Sequence, residues 1–141
     1  MNYYYSDEEI QALLDKEKFY QGTIEEMMNF TESDGHKRAS IELPDSDGNH
    51  FIIKLRQNTN VINDFSAILA FRKKGYTNDF KLKRYNGKSH EHSNKLEGEK
   101  FYDFHIHIAT QRYQDIGKKE ESYGKITDRF SNLRGALKCL I

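Results

Sequence analysis

Four of the six histidines of this chain fall in two His-x-His pairs, His90-Glu91-His92 and His105-Ile106-His107, the second set in the run Phe101-Tyr102-Asp103-Phe104-His105-Ile106-His107. On a β-strand residues two apart point to the same side, so Asp103, His105 and His107 would share one face while Tyr102, Phe104, Ile106 and Ile108 line the other. Imidazoles beside a carboxylate suit metal ligation, proton transfer or phosphate recognition, and the spacing alone does not choose among them. If a metal binds, a strand pair of this kind can chelate it through His105 and His107 with Asp103 as a third ligand. Without a metal, the same groups suit RNA cleavage. One imidazole among His90, His92 and His105 would take the 2′-hydroxyl proton, another group would protonate the leaving oxygen, and Arg84 or Lys88 would stabilise charge on the phosphate. Tyr85, Tyr102 or Tyr113 could stack on an unpaired base.

The surrounding charge supports an anionic ligand. The net charge of zero conceals segregation: residues 6–47 are predominantly acidic, whereas residues 71–88 hold Arg72, Lys73, Lys74, Lys81, Lys83, Arg84 and Lys88 against the single Asp79. A basic block therefore leads into the first histidine pair, and anions are expected near Arg72, Lys81, Lys83 and Arg84, on a face away from the acidic N-terminal third. The lone Cys139 excludes an intramolecular disulfide and a cysteine-rich zinc site. No apolar run approaches the roughly 18 residues that span a bilayer. The start of the chain has neither the basic flank nor the apolar stretch of a secretory signal, so a cytoplasmic protein without membrane contact is expected.

The elements that must position these residues are legible from periodicity. Ser6-Asp7-Glu8-Glu9 is a capping box, and Ile10, Leu13 and Leu14 repeat at helical spacing, predicting a helix over 7–19 with Gly22 beyond it. Residues 23–36 fit either a strand or a helical turn. From Lys37 the period changes to two: Ala39, Ile41 and Leu43, the turn Pro44 to Asn49, then Phe51, Ile53 and Leu55, predict a β-hairpin. Phe65 to Lys73 and Phe80 to Tyr85 read as the next two strands around a turn at Gly75 to Asp79. Residues 86–99 read as a loop, 100–113 as a long fifth strand and 114–126 as a further loop. Thr127 is placed as the N-cap of a closing helix with Phe130, Leu133, Leu137 and Leu140 on one face. The expectation is one α+β domain over 1–141, an antiparallel sheet of about five strands with an N-terminal and a C-terminal helix.

The stretch from Arg84 to Tyr113, with its Arg-Tyr-Asn-Gly-Lys-Ser-His-Glu-His, Glu97, Phe-Tyr-Asp-Phe-His-Ile-His and Arg112-Tyr113, resembles a small bacterial family of unassigned function. More loosely, Arg84-Tyr85-Asn86, Gly87 and the His90/His92 pair, followed by an aromatic strand and a terminal helix, are similar to TumE-type toxins of bacterial toxin–antitoxin pairs. Those show an Arg-Tyr-Asp-Asn segment, a Gly-rich turn and a His-Arg-His pair. Here Glu91 separates the histidines, the following loop is longer, and a second pair, His105/His107, is added. The resemblance implies a toxin-like protein acting on RNA or translation and held by a protein partner, an antitoxin or a target, with roles for Arg84, His90 and His92.

The expected function is a small endoribonuclease-like toxin with His90, His92 and His105 as catalytic groups and Arg84, Lys88, Lys81, Lys83 and Tyr85 binding RNA or another anionic ligand. No cofactor is required on that reading, and a divalent metal at His105, His107 and Asp103 is the alternative. A different class of function is also consistent with the chain: a non-enzymatic protein-binding inhibitor from a phage or mobile element, such as an anti-defence protein.

Overall fold

The computed structural model describes residues 4–18 and 22–141. Helix α1 (Asp7–Asp15) starts at the expected capping box: Ser6 accepts from the Glu9 amide and the Glu9 carboxylate accepts from the Ser6 amide, each at 3.1 Å. It stops at Asp15, short of the expected end, because Lys16 is extended. Residue 19, the end of that prediction, lies outside the described residues. The short helix α2 (Ile24–Met27) and strand β1 (Thr31–Ser33) divide the stretch whose sequence fits both states.

The meander then runs through β2 (His36–Pro44), β3 (His50–Asn58), β4 (Phe65–Arg72) and β5 (Phe80–Asn86). A small hairpin, β6 (His92–Asn94) and β7 (Glu99–Phe101), precedes β8 (His105–Ile108), helix α3 (Gln111–Asp115), β9 (Tyr123–Ile126) and helix α4 (Leu133–Leu140). The main sheet has seven strands in the order β1-β2-β3-β4-β5-β8-β9, all pairs antiparallel, and β6-β7 form a separate two-stranded sheet.

The α+β class with terminal helices is as expected, and the sheet is larger than the five strands expected. β1 and β9 extend its two edges. The predicted long fifth strand is broken at Tyr102 into β7 and β8 and ends in α3, and β9 lies inside a stretch read as loop. The closing helix also starts later than Thr127: Asn132 is the cap, its Oδ1 accepting from the Gly135 amide at 2.7 Å.

One face of the sheet is apolar. Leu43, Phe51, Ile53, Leu55, Phe65, Ala67, Leu69, Phe71, Phe80, Leu82 and Tyr85 form the core with Ile10 of α1 and Leu133, Ala136, Leu137 and Leu140 of α4. Tyr85 lies parallel to Phe130, ring centroids 5.4 Å apart. At Gly87 the chain turns so closely over the β3–β4 connection that a Cβ would sit 1.8 Å from the Asn63 carbonyl oxygen, so only glycine fits. No helix among the described residues is long and apolar enough to cross a membrane.

The opposite face is polar, and its cross-strand rows fix what stands beside the histidines. One row runs Arg38, Arg56, Ser66, Asn86, His105, and the next Ser40, Lys54, Ile68, Arg84, His107, Gly124. A groove of about 680 Å³ lies over the near end of these rows. At the far end the β6–β7 hairpin folds over the sheet and covers the histidines.

Candidate metal centre

His105 and His107 do share a face of β8, as alternation requires, but that face is not open to solvent. Their exposures are 5% and 7%, whereas Tyr102, on the apolar side of the alternation, is 63% exposed in the break between β7 and β8. Phe104 and Ile106 are half-buried and pack against the apolar core. The histidine face is buried too because both faces of the sheet are covered here, one by α4 and the other by the β6–β7 hairpin.

The hairpin brings in His92. Its ring lies nearly parallel to that of His105, centroids 5.1 Å apart, and edge-on to that of His107 at 4.6 Å. His92, His105 and His107 each offer a nitrogen, and these atoms lie within 4.8 Å of one another. The ring of His92 occupies room left by Gly124, the cross-strand partner of His107, where a Cβ would stand 2.7 Å from His92 Nε2.

Each imidazole has its tautomer set by a neighbour. His105 Nδ1 donates to the Asp103 carbonyl and His107 Nδ1 to the Glu121 carbonyl, both at 2.8 Å. Carbonyl oxygens only accept, so the hydrogens of the neutral rings are on Nδ1 and the lone pairs on Nε2. Those two Nε2 atoms face each other at 3.0 Å. For His92 the partner is Asn94 Oδ1 at 2.7 Å. The Asn94 amide cannot be turned round, because its Oδ1 accepts from the Gly124 N–H at 2.8 Å and its Nδ2 donates to the Gly124 carbonyl at 2.6 Å. His92 Nε2 must then be the donor, which leaves its lone pair on Nδ1.

Burial first, and then the neighbouring imidazoles and Arg84, push His107 down to about 2. His105 is also lowered, chiefly by burial, with the Asp103 carbonyl opposing. Both rings are therefore neutral at neutral pH, the form that ligates metals. Two facing lone pairs repel unless a cation lies between them. A proton would create a buried imidazolium, which the low pKa disfavours, whereas a metal ion uses both facing lone pairs. Tetrahedral zinc at about 2.0–2.1 Å from its nitrogens holds them about 3.3 Å apart, so the His105–His107 pair is already near that spacing.

Beside the triad, Arg84 and Glu121 make a largely buried ion pair, Nη2 to Oε2 at 2.5 Å. Arg84 Nε and Glu121 Oε1 are buried with no hydrogen-bond partner. Such orphaned atoms are costly unless a ligand or water meets them.

The other expected site residues are dispersed. His90 is exposed and lines a cavity of about 120 Å³ that also reaches His92, His105 and His107, but it is not in the triad. Asp103 is exposed and contributes its backbone carbonyl, so the third imidazole, rather than its carboxylate, completes the group of three. Lys88 lies over the Phe104 ring. Lys83 projects toward Tyr85 on the apolar face, and the Lys81 amide is bound by Glu120 in a separate pocket. Tyr85 and Tyr113 are buried and therefore not open stacking surfaces.

Two cations of the expected basic field are ion-paired, Arg72 with Asp79 and Arg84 with Glu121; outside it, Lys54 also holds Asp79 and Arg56 holds Asp64. Asn94, Gly124 and Glu121 were not apparent as site residues from the sequence. A glycine inside an otherwise ordinary strand, Tyr123-Gly124-Lys125-Ile126, is the one signal that could have pointed there.

Compared with protein-family models, curated proteins and solved structures, the chain finds no match.

Proposed function

We propose that the protein is a metal-dependent hydrolase acting on RNA phosphodiesters, with a divalent transition ion, zinc foremost, held by His92, His105 and His107. The observation that carries this reading is the pair of Nε2 lone pairs facing each other at 3.0 Å with both Nδ1 hydrogens committed elsewhere. Three imidazoles with room for a further ligand are the donor set of hydrolytic zinc sites, where the ion acts as a Lewis acid and makes water a nucleophile near neutral pH. Arg84 supplies positive charge for the phosphate, and the orphaned Glu121 Oε1 is a proton acceptor for the attacking water. In the balanced step a water oxygen bonds to phosphorus as its proton passes to Glu121, the bond to the leaving oxygen breaks, and the leaving oxygen takes up the proton that Glu121 received. RNA as substrate follows the likeness to TumE-type toxins, which is carried by Arg84, His90 and His92; two of these three border the cavities beside the triad and His92 belongs to it.

The test is incubation of the protein with total RNA, with and without chelator, alongside His92→Ala and His105→Ala. Cleavage that chelation abolishes, zinc restores and both variants lack is the expected result. Cleavage that survives chelation and both substitutions removes the proposal.

A further inference from the structure

A cavity of about 200 Å³ opens against the triad, lined by His92 and His107 on one side and by Arg84, Lys95, Lys118, Lys119, Ser93 and Ser122 around it. Lys95 follows β6 directly, whereas Lys118 and Lys119 come from the loop between α3 and β9, so two separate segments deliver cations to one space. None of these three lysines forms an ion pair among the described residues. That separates them from the block at 72–84, whose arginines already hold carboxylates. The single carboxylate lining the cavity, Glu121, is committed to Arg84, and Arg84 Nε still lacks an acceptor. The space equals the liquid volume of about seven waters, enough for one tetrahedral oxyanion with its hydration and too small for a stacked polymer.

We propose that this cavity binds a phosphate group, its oxygens held by Lys95, Lys118, Lys119 and the serine hydroxyls beside the Arg84 guanidinium, so that the phosphorus lies beside the metal position. The proposal rests on the metal reading for its function but not for its binding chemistry. Charge-assisted hydrogen bonds from lysine and arginine are the strong contacts to phosphate, and here they sit at the mouth of the cavity that reaches the triad.

Inorganic phosphate is titrated calorimetrically into chelator-treated and zinc-loaded protein, wild type and Lys95→Ala/Lys118→Ala/Lys119→Ala, with Lys81→Ala as a control outside the cavity. The triple variant should lose about tenfold or more in phosphate affinity in both metal states, whereas Lys81→Ala should match wild type. Cobalt(II) absorption of the triple variant should be that of wild type, so failure of the phosphate site is told apart from failure of the metal site. Equal phosphate binding by wild type and triple variant, or none by wild type, overturns the proposal. Competition against phosphate by one oligoribonucleotide with a 5′-phosphate or a 5′-hydroxyl identifies the source. A 5′-phosphate advantage assigns a terminal phosphate, equal competition assigns an internal phosphodiester, and competition by neither overturns the site's assignment to RNA.

Discussion

The Nε2 atom of His92 lies 2.7 Å from the point where a side chain on Gly124 would begin. A glycine on β9 thus decides whether a histidine on β6 reaches the two on β8. Gly124→Ala should push the His92 ring out of register with His105 and His107. It should lower zinc or cobalt affinity by about 10–100-fold, the range seen when groups that orient metal ligands are changed. A cobalt(II) titration followed by its visible absorption measures this. Unchanged affinity would mean that the ring of His92 is not a ligand.

Asn94 is 1% exposed and ties together His92 Nε2, the Gly124 amide and the Gly124 carbonyl. Replacing it with alanine strands two buried backbone groups at a cost of about 2–6 kcal/mol and frees His92 to take either tautomer. Denaturant melts should show the stability loss. Nitrogen chemical shifts of the His92 ring should change from one fixed tautomer to a mixture, a readout that a purely structural asparagine would not move.

The pH dependence of the metal-free protein follows from the direction of the histidine shifts. Burial holds His105 below its ordinary value and His107 at about 2. In the unfolded chain both bind a proton near pH 6.5, so below that pH the unfolded state holds more protons than the folded one, and stability falls with pH. Each ring that stays neutral contributes a slope of about 1.4 kcal/mol per pH unit. For His107 that decline continues toward about pH 2. Denaturation in chelator between pH 7 and 5, above the titration of the ion-paired carboxylates, reads this directly. Subtracting the same curve for His107→Ala isolates its share, and identical slopes would show that its ring protonates in the folded state.

The sequence is informative wherever one local pattern has one structural solution. The capping box at Ser6 to Glu9, the alternations around Ala39 to Leu43 and Phe51 to Leu55, and the shared face of His105 and His107 are such cases. It misleads where the same pattern fits two environments. Alternation along β8 separates two faces without saying whether one or both are buried; Phe104 and Ile106 mark the core side, and the β6–β7 hairpin buries the histidine face as well. That hairpin spans residues written as a polar loop, and its fixing contact, Asn94 to Gly124, is 30 residues long-range. No periodicity encodes a side-chain amide that pairs with a strand backbone. Likewise, the basic block of 72–84 looks like one positive surface in sequence, but Asp79 and Glu121 tie its two arginines into ion pairs.

His105→Ala separates a metal ligand from a structural histidine, because the two roles predict opposite dependence on zinc. In the metal-free protein this substitution removes one of two facing lone pairs and leaves His107 bonded to Glu121, so stability should change little. In the wild type, zinc at 100 times its dissociation constant should add about 2.7 kcal/mol to the folded state, and His105→Ala should lose most of that gain. Leu137→Ala is the reference: Leu137 is fully buried in α4, and the lost packing and cavity should cost about 2–5 kcal/mol with or without zinc. Thermal or denaturant melts of the three proteins, each in chelator and in zinc, complete the comparison. If His105→Ala destabilises the metal-free protein as much as Leu137→Ala and zinc stabilises both variants equally, His105 is a packing residue and the ion binds elsewhere.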